Sequence, residues 1–235
     1  MLRILFAIII CFTCSCSLAQ SRIYFNTGIG TYLMDDMKTF QAETASSLPV
    51  RLKKVKSFPP YVNYEAGFDV KLGSRFFVGA SGSYGSSGCR SDYQDYSGSE
   101  RLDQLWKYKS IALSGGIIQK FMNEKLLLRY ELRSGVIFNH GTLDYRSTLG
   151  TQTSTQHNDV HSRNIYAQPT VTATRRFGPI GIDVYVGLNY NFSLGKVYDD
   201  SDPSGPYFGF FNGTPIGVDW TGLRAGLGVS FLFGK

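Results

Sequence analysis

Cysteine is nearly absent: the 235 residues hold four, and three of them (Cys11, Cys14, Cys16) sit within the first sixteen positions. Beyond those, Cys89 stands alone, which excludes an internal disulfide framework and a cysteine-based metal site. Long apolar runs are missing as well. After residue 20 no stretch approaches the ~18 consecutive apolar residues that a membrane helix requires, so a helical membrane protein is excluded. Charge is sparse at 18%. Against those scarcities stand 43% hydrophobic residues, 26 Gly, 17 Phe and 15 Tyr, too apolar and aromatic for a disordered chain and suited to one β-rich domain.

The first segment reads as an export signal. Arg3 precedes the apolar stretch Ile4 to Ile10, and the small-residue run Ser15 to Ala19 follows, with Ser17-Leu18-Ala19 before Gln20 as the cleavage site. A lipoprotein cleavage would need an apolar residue three positions before a Cys, and Cys16 has Thr13 there. The division expected is a signal peptide over 1–19 and a single domain over 20–235. Only Arg3 of the 24 basic residues leaves with the signal, while all 18 acidic residues stay.

Period-two alternation recurs eight times, over 22–33, 60–71, 75–86, 106–121, 125–140, 164–177, 180–192 and 220–233. The segment 180–192 is the clearest. Ile180, Ile182, Val184, Val186, Leu188, Tyr190 and Phe192 share one face, with Gly181, Asp183, Tyr185, Gly187, Asn189 and Asn191 on the other. The gaps run 26, 3, 19, 3, 23, 2 and 27 residues, so long and short connections alternate and both chain ends lie on the short side. This predicts an all-β, eight-stranded antiparallel up-and-down transmembrane β-barrel with short periplasmic turns and four long extracellular loops.

A soluble carrier barrel would also alternate, with its apolar wall inside. The polar wall decides between the two. It is built of Gly, Ser and Thr small enough for a narrow lumen, and carries four acids (Glu65, Asp69, Glu131, Asp183) against four bases (Lys120, Arg129, Arg133, Arg224). Charges taken out of water must be paired, and a balanced set is what a closed interior needs. The apolar wall has no charge in mid-strand, where Arg or Lys facing lipid costs ~2–4 kcal/mol. Its cations Lys107, Lys109 and Arg175 fall at strand ends. Aromatics gather there too: Phe68, Phe76, Phe121 and Phe177 at one level, Tyr64, Tyr84, Tyr108, Phe138, Tyr190 and Trp220 at the other.

On these residues the chain resembles the small eight-stranded bacterial outer-membrane barrels, the OmpA transmembrane domain and OmpX kind. The ending Gly228-Val229-Ser230-Phe231-Leu232-Phe233 is similar to the signal by which the barrel-assembly machinery recognises its clients, with Gly228, Phe231 and Phe233 as its marks. Gly234 and Lys235 after the last aromatic depart from its strictest form. The resemblance implies an integral cell-outer-membrane address and a fold, and transfers no catalytic residue.

Eight strands enclose a lumen that side chains fill, so a wide porin is disfavoured. The expectation is a structural or surface-interacting barrel; a narrow channel or an accessory subunit of an envelope export or assembly machine comes second, and a lipid-modifying enzyme third. His140, His157 and His161 are the only histidines, without spacing to an activated serine, so no catalytic residue is expected. Asp199-Asp200-Ser201-Asp202 lacks the spaced ligands and Gly of a calcium loop and reads as a solvated tip, so no metal and no cofactor are expected. In the first long connection, Met34, Met37 and Phe40 behind Asp35 and Asp36 predict a short amphipathic helix. The run Arg51, Lys53, Lys54 and Lys56 after it suits lipopolysaccharide phosphates and equally suits solvent. In the last, Tyr207-Phe208-Gly209-Phe210-Phe211 either caps the barrel mouth or meets a protein partner. The expected surroundings are outer-membrane lipid and lipopolysaccharide, the barrel-assembly machinery during biogenesis, and an envelope or extracellular protein at the loops. A monomer is expected, and nucleic acid is not a partner.

Overall fold

The computed structural model describes residues 20–47, 53–56, 58–96, 98–122, 125–200, 207–210 and 213–234, with no side-chain description for 54–56. Residues 1–19, expected from the sequence to be an export signal, lie outside the described residues, as do Arg51, Ser201, Asp202 and Phe211.

The strands are β1 (Ser21–Gly30), β2 (Lys53–Lys56), β3 (Tyr61–Leu72), β4 (Phe76–Gln94), β5 (Gly98–Phe121), β6 (Leu126–Leu149), β7 (Gln152–Phe177), β8 (Ile180–Ser193), β9 (Tyr198–Asp199) and β10 (Gly222–Phe233), with one helix, α1 (Asp35–Ser46). Eight of them pair antiparallel in the order β4-β3-β1-β10-β8-β7-β6-β5, and β5 returns to β4, so the sheet closes and no barrel edge is left open. From Lys71, opposite Gln20, the register runs through Phe77, Gly116, Glu131, Thr170, Gly187 and Arg224 to Gly30, ten residues beyond its start. A stagger of that size tilts the strands by roughly 40°.

The inside-outside assignment follows the alternation. On β8, Ile182, Val184 and Val186 are 48%, 53% and 52% exposed while Asp183 is fully buried. A carrier-type barrel, with Ile182 to Val186 lining the cavity, is thereby ruled out. Phe68, Phe76 and Phe177 stand on the exterior toward the short turns, and Tyr64, Tyr84, Phe138 and Tyr190 toward the other end. Tyr108 and Trp220 do not join that outer belt. Both are fully buried inside, Tyr108 because it shares the parity of inward Ser110 and Ala112, and Trp220 because the chain folds inward before β10 begins.

The long connections lie at one end, and two of them take a form that the alternation had only partly revealed. The 19 and 23 residues expected as loops continue for the most part as strand, so β4 passes to β5 between Gln94 and Gly98 and β6 to β7 at 150–151. Along these extensions the polarity of the two faces inverts. Below, β5 presents Ile111, Leu113 and Ile117 outward; above, it presents Arg101, Asp103 and Lys107 outward around a single exposed Leu105, and buries Leu102 and Trp106 together with Glu100 and Gln104. Lipid surrounds the lower part and water the upper, and a strand with a buried inner face responds by turning its apolar residues inward once lipid ends.

Candidate functional site

The lumen fills in layers. Nearest the short turns, the Arg22 guanidinium bridges two carboxylates, donating from Nη1 to Asp69 at 3.1 Å and from Nη2 to Asp183 at 2.5 Å. Arg129 Nη2 lies 2.7 Å from the same Asp69, and its guanidinium stacks 3.9 Å from the Phe77 ring centroid. Asp183 also accepts from Thr174 Oγ1 at 2.6 Å and from Ser230 Oγ at 3.2 Å. Two cations thus meet two anions. One layer higher, Arg133 pairs with Glu65 and, at 2.8 Å, with Glu131. Here one cation meets two anions.

Arg224 stands higher still, without a carboxylate contact among the described residues. Its Nε donates to the Tyr61 hydroxyl at 2.7 Å and its Nη1 to Gln168 Oε1 at 3.1 Å, and it faces the Tyr108 ring at 5.1 Å. The structure thus places Glu65, Asp69, Arg129, Glu131, Arg133 and Asp183 in direct ion pairs, and leaves Arg224 in an aromatic cage. Lys120 is exposed at the short-turn rim, one residue from the end of β5, where it lines one pocket with Arg22, Asp69 and Arg129. Arg22 was not singled out in the sequence, although it lies opposite Asp69 on the neighbouring strand; its inward parity, shared with Asn26 and Gly28, was the available signal.

Above Arg224 the interior becomes apolar. Trp220, Tyr61, Tyr108 and Trp106 pack with Met34 and Met37 of the first connection and with Ile216 and Val218 of the last. The indole N–H of Trp220 donates to Asn139 Oδ1 at 2.8 Å. Helix α1 forms where the Met34–Met37–Phe40 spacing predicts it, with Asp35 and Asp36 in its first turn. Asp36 Oδ2 accepts the Gly217 N–H at 3.0 Å, tying the two connections together over the mouth. Phe208 and Phe210 pack against the same cluster, which is the capping position of the two readings considered for that segment. Cys89 is buried there as well.

The extension around this cap, formed by the upper parts of β4 to β7 with α1, is a crown. Inside it, between the inner faces of β5 to β7 and α1, lies a cavity of about 320 Å³ lined chiefly by Phe40, Leu102, Gln104, Leu143, Tyr145 and Phe208. On the crown's outer face the three histidines converge on aspartates. His140 and His161 are cross-strand partners, and both reach Asp200, His140 at 3.6 Å. His157 Nδ1 lies 2.6 Å from Asp144 and its Nε2 3.4 Å from Asp159. Hydrogen bonds accepted by Asp144 first and Asp159 second raise the His157 pKa above its ordinary value. Asp199 pairs in β9 with Val160, so the acidic tip is in part built into the sheet. Of the basic run, Lys53 is exposed on β2 opposite Asp92. Of the terminal marks, Phe231 and Phe233 face outward with their rings 4.7 Å apart, and Gly228 faces inward against Asn26.

No family model and no curated protein matches the chain. Among solved structures it is similar to the attachment invasion locus protein Ail of Yersinia pestis, at 11% identity over 92% of this chain and 99% of that one, with a TM-score of 0.40. It is also similar to Neisserial surface protein A, at 10% identity over 91% and 97% and a TM-score of 0.42. A third is the N-terminal β-barrel domain of OprF from Pseudomonas aeruginosa, at 14% identity over 91% and 97% and a TM-score of 0.32. The eight-stranded architecture stands on the chain's own closed ring of pairings, whatever the distance to these structures.

Proposed function

We propose that this chain is an integral outer-membrane barrel with a structural or surface-interacting role, exported by its 1–19 segment and working through the crown. The observation that carries this reading is the single-sided placement of charge. An apolar exterior of Leu113, Ile182, Val184, Val186 and Leu227 surrounds an interior holding Arg22, Asp69, Arg129, Glu131, Arg133 and Asp183. Only lipid gives such an exterior a stable environment, and only mutual pairing makes such an interior tolerable. The ion-paired layers and the aromatic plug occupy the bore, which favours a filled lumen over a conducting one. The histidines spend their hydrogen bonds on aspartates, a pattern suited to holding the crown together and not to activating a nucleophile.

Lipid and lipopolysaccharide are the proposed surroundings, with Arg51, Lys53, Lys54 and Lys56 as the phosphate contacts, supported by the exposure of Lys53. The barrel-assembly machinery is the proposed biogenesis partner through Gly228, Phe231 and Phe233. The test is reconstitution of the refolded protein into planar bilayers, with gel migration compared before and after boiling. A heat-dependent shift without discrete conductance steps is expected. Reproducible unitary currents would replace the filled-lumen reading with a narrow channel, and a band that does not shift would refute the barrel.

A further inference from the structure

We propose that the crown cavity is a binding site for a neutral, mainly apolar small molecule carrying one group that both donates and accepts a hydrogen bond, of the secondary-amide type. The inference deepens the surface-interacting reading and rests on its placement of the crown outside the lipid.

Three observations carry it. The cavity, at about 320 Å³, falls within the roughly 300–1,000 Å³ of small-molecule sites and has their composition, with Phe40, Leu102, Leu143 and Phe208 as its apolar wall. Among the described residues no charged side chain lines it, so an ionic ligand would be desolvated there without a counter-charge. The third is Gln104. This wall residue is 2% exposed, and neither its amide nitrogen nor its amide oxygen has a hydrogen-bond partner among the described residues. A buried donor and acceptor left unmade are costly, and one side-chain amide missing both is matched by a ligand group that supplies both. Of the other polar lining residues, the Tyr145 hydroxyl donates to Glu100, whose other oxygen accepts from Ser147 Oγ at 2.9 Å, while Thr44, Gln156 and Asn158 are partly or fully exposed to water, which leaves Gln104 as the buried amide of the wall. A site that uses Gln104 discriminates by that amide, while the phenylalanine and leucine walls accept any apolar body of the right size.

The test uses the full barrel in lipid nanodiscs, with 4-fluorobenzanilide as probe and 4-fluorostilbene as its amide-free counterpart, followed by fluorine NMR against empty nanodiscs. The expected result is saturable binding of both probes beyond lipid partition, with the anilide tighter. Leu143→Trp, which fills the cavity, abolishes both. Gln104→Leu weakens the anilide about tenfold and leaves the stilbene unchanged. Wild-type signal equal to empty nanodiscs, or binding that survives Leu143→Trp, overturns the site; equal effects of Gln104→Leu on both probes overturn the role of the amide. Each sample is checked for its heat-dependent gel shift, so a failed barrel is distinguished from an empty cavity. If Leu143→Trp does not fold, Leu102→Phe serves as the filling variant.

Discussion

The pairing of Arg22 with Asp183 can be probed by a double-mutant cycle whose outcome depends on charge count and not on either residue alone. In the lowest layer Arg22 and Arg129 share Asp69, and Asp183 supplies the second negative charge. Asp183→Asn keeps the side-chain shape and an acceptor for Thr174 and Ser230, but leaves two guanidiniums on one carboxylate. Removing one partner of a buried pair costs ~3–5 kcal/mol, and the retained hydrogen bonds place this variant near ~3. Arg22→Met leaves Asp183 with hydroxyl donors only and costs a similar amount. The double variant restores neutrality, because Arg129 and Asp69 then form a simple pair. Its cost should therefore fall below the sum of the single costs by at least ~2 kcal/mol, well above the ~0.5 kcal/mol within which independent sites add. Urea unfolding in detergent, followed by the fluorescence of buried Trp106 and Trp220 and by gel migration, reads this as a midpoint shift on the order of 1 M for each single variant. Costs that simply add would refute the claim that this layer is held by charge balance.

On the exterior, Val184→Arg should destabilise the folded barrel by ~2–4 kcal/mol in lipid, whereas Leu105→Arg beside Lys107 should cost much less, as measured by equilibrium unfolding in vesicles. Gly228→Ala should slow assembly, because its Cβ would meet the Phe25 carbonyl oxygen at 2.7 Å and Asn26 Oδ1 at 1.8 Å; the fraction refolded into vesicles reports it. Trp220→Phe removes the donor to Asn139 from a buried site and should cost ~1–3 kcal/mol in the same unfolding assay. The crown should respond to pH through His157. Its folded pKa lies above the ordinary 6.5, so its stabilising effect is complete below that value and is lost as pH rises through the raised one. Protease nicking of the β6–β7 tip should accordingly be slower at pH 5.5 than at pH 8, with the difference reduced in His157→Ala.

Most of the barrel was legible because lipid imposes one rule on every strand: apolar outward, small or paired polar inward. Asp183 between Ile182 and Val184 obeys it, as do Glu131 between Arg129 and Arg133 on the inner face and the flanking Tyr130 and Leu132 outside. The same rule hid the crown. Above the bilayer the exterior meets water, so Arg90, Asp103, Asp144 and His157 turn outward while Leu102 and Leu143 face in. Read with the barrel's sign, 87–105 and 141–163 lose their alternation and pass for loop. Read with the opposite sign they are strands, and the residue at which the sign changes marks the lipid boundary. On β5 that change falls between Ile111 and Lys107.

The charge balance carries a second lesson of this kind. Counting inward residues gives parity between acids and bases, yet the count cannot say who meets whom. Arg22, which that count left out, bridges Asp69 and Asp183 in the lowest layer, while Lys120 stands at the rim of the same layer, exposed near the end of β5. The Arg133 layer keeps an excess negative charge and Arg224 an excess positive one, held apart by the height of the bore. Arg224 tolerates this because Tyr61, Gln168 and the Tyr108 face supply hydrogen bonds and a ring quadrupole in place of a carboxylate. Such a guanidinium is stabilised by the sum of these contacts and by the field of Glu65 and Glu131 below it. Arg224→Met should therefore be tolerated better than Arg133→Met: the first removes a cation whose direct contacts are neutral groups, whereas the second takes from Glu65 and Glu131 the cation that both contact directly. Unfolding midpoints of the two variants in one detergent decide the order, and equal losses would sink this account of how the interior charge is shared.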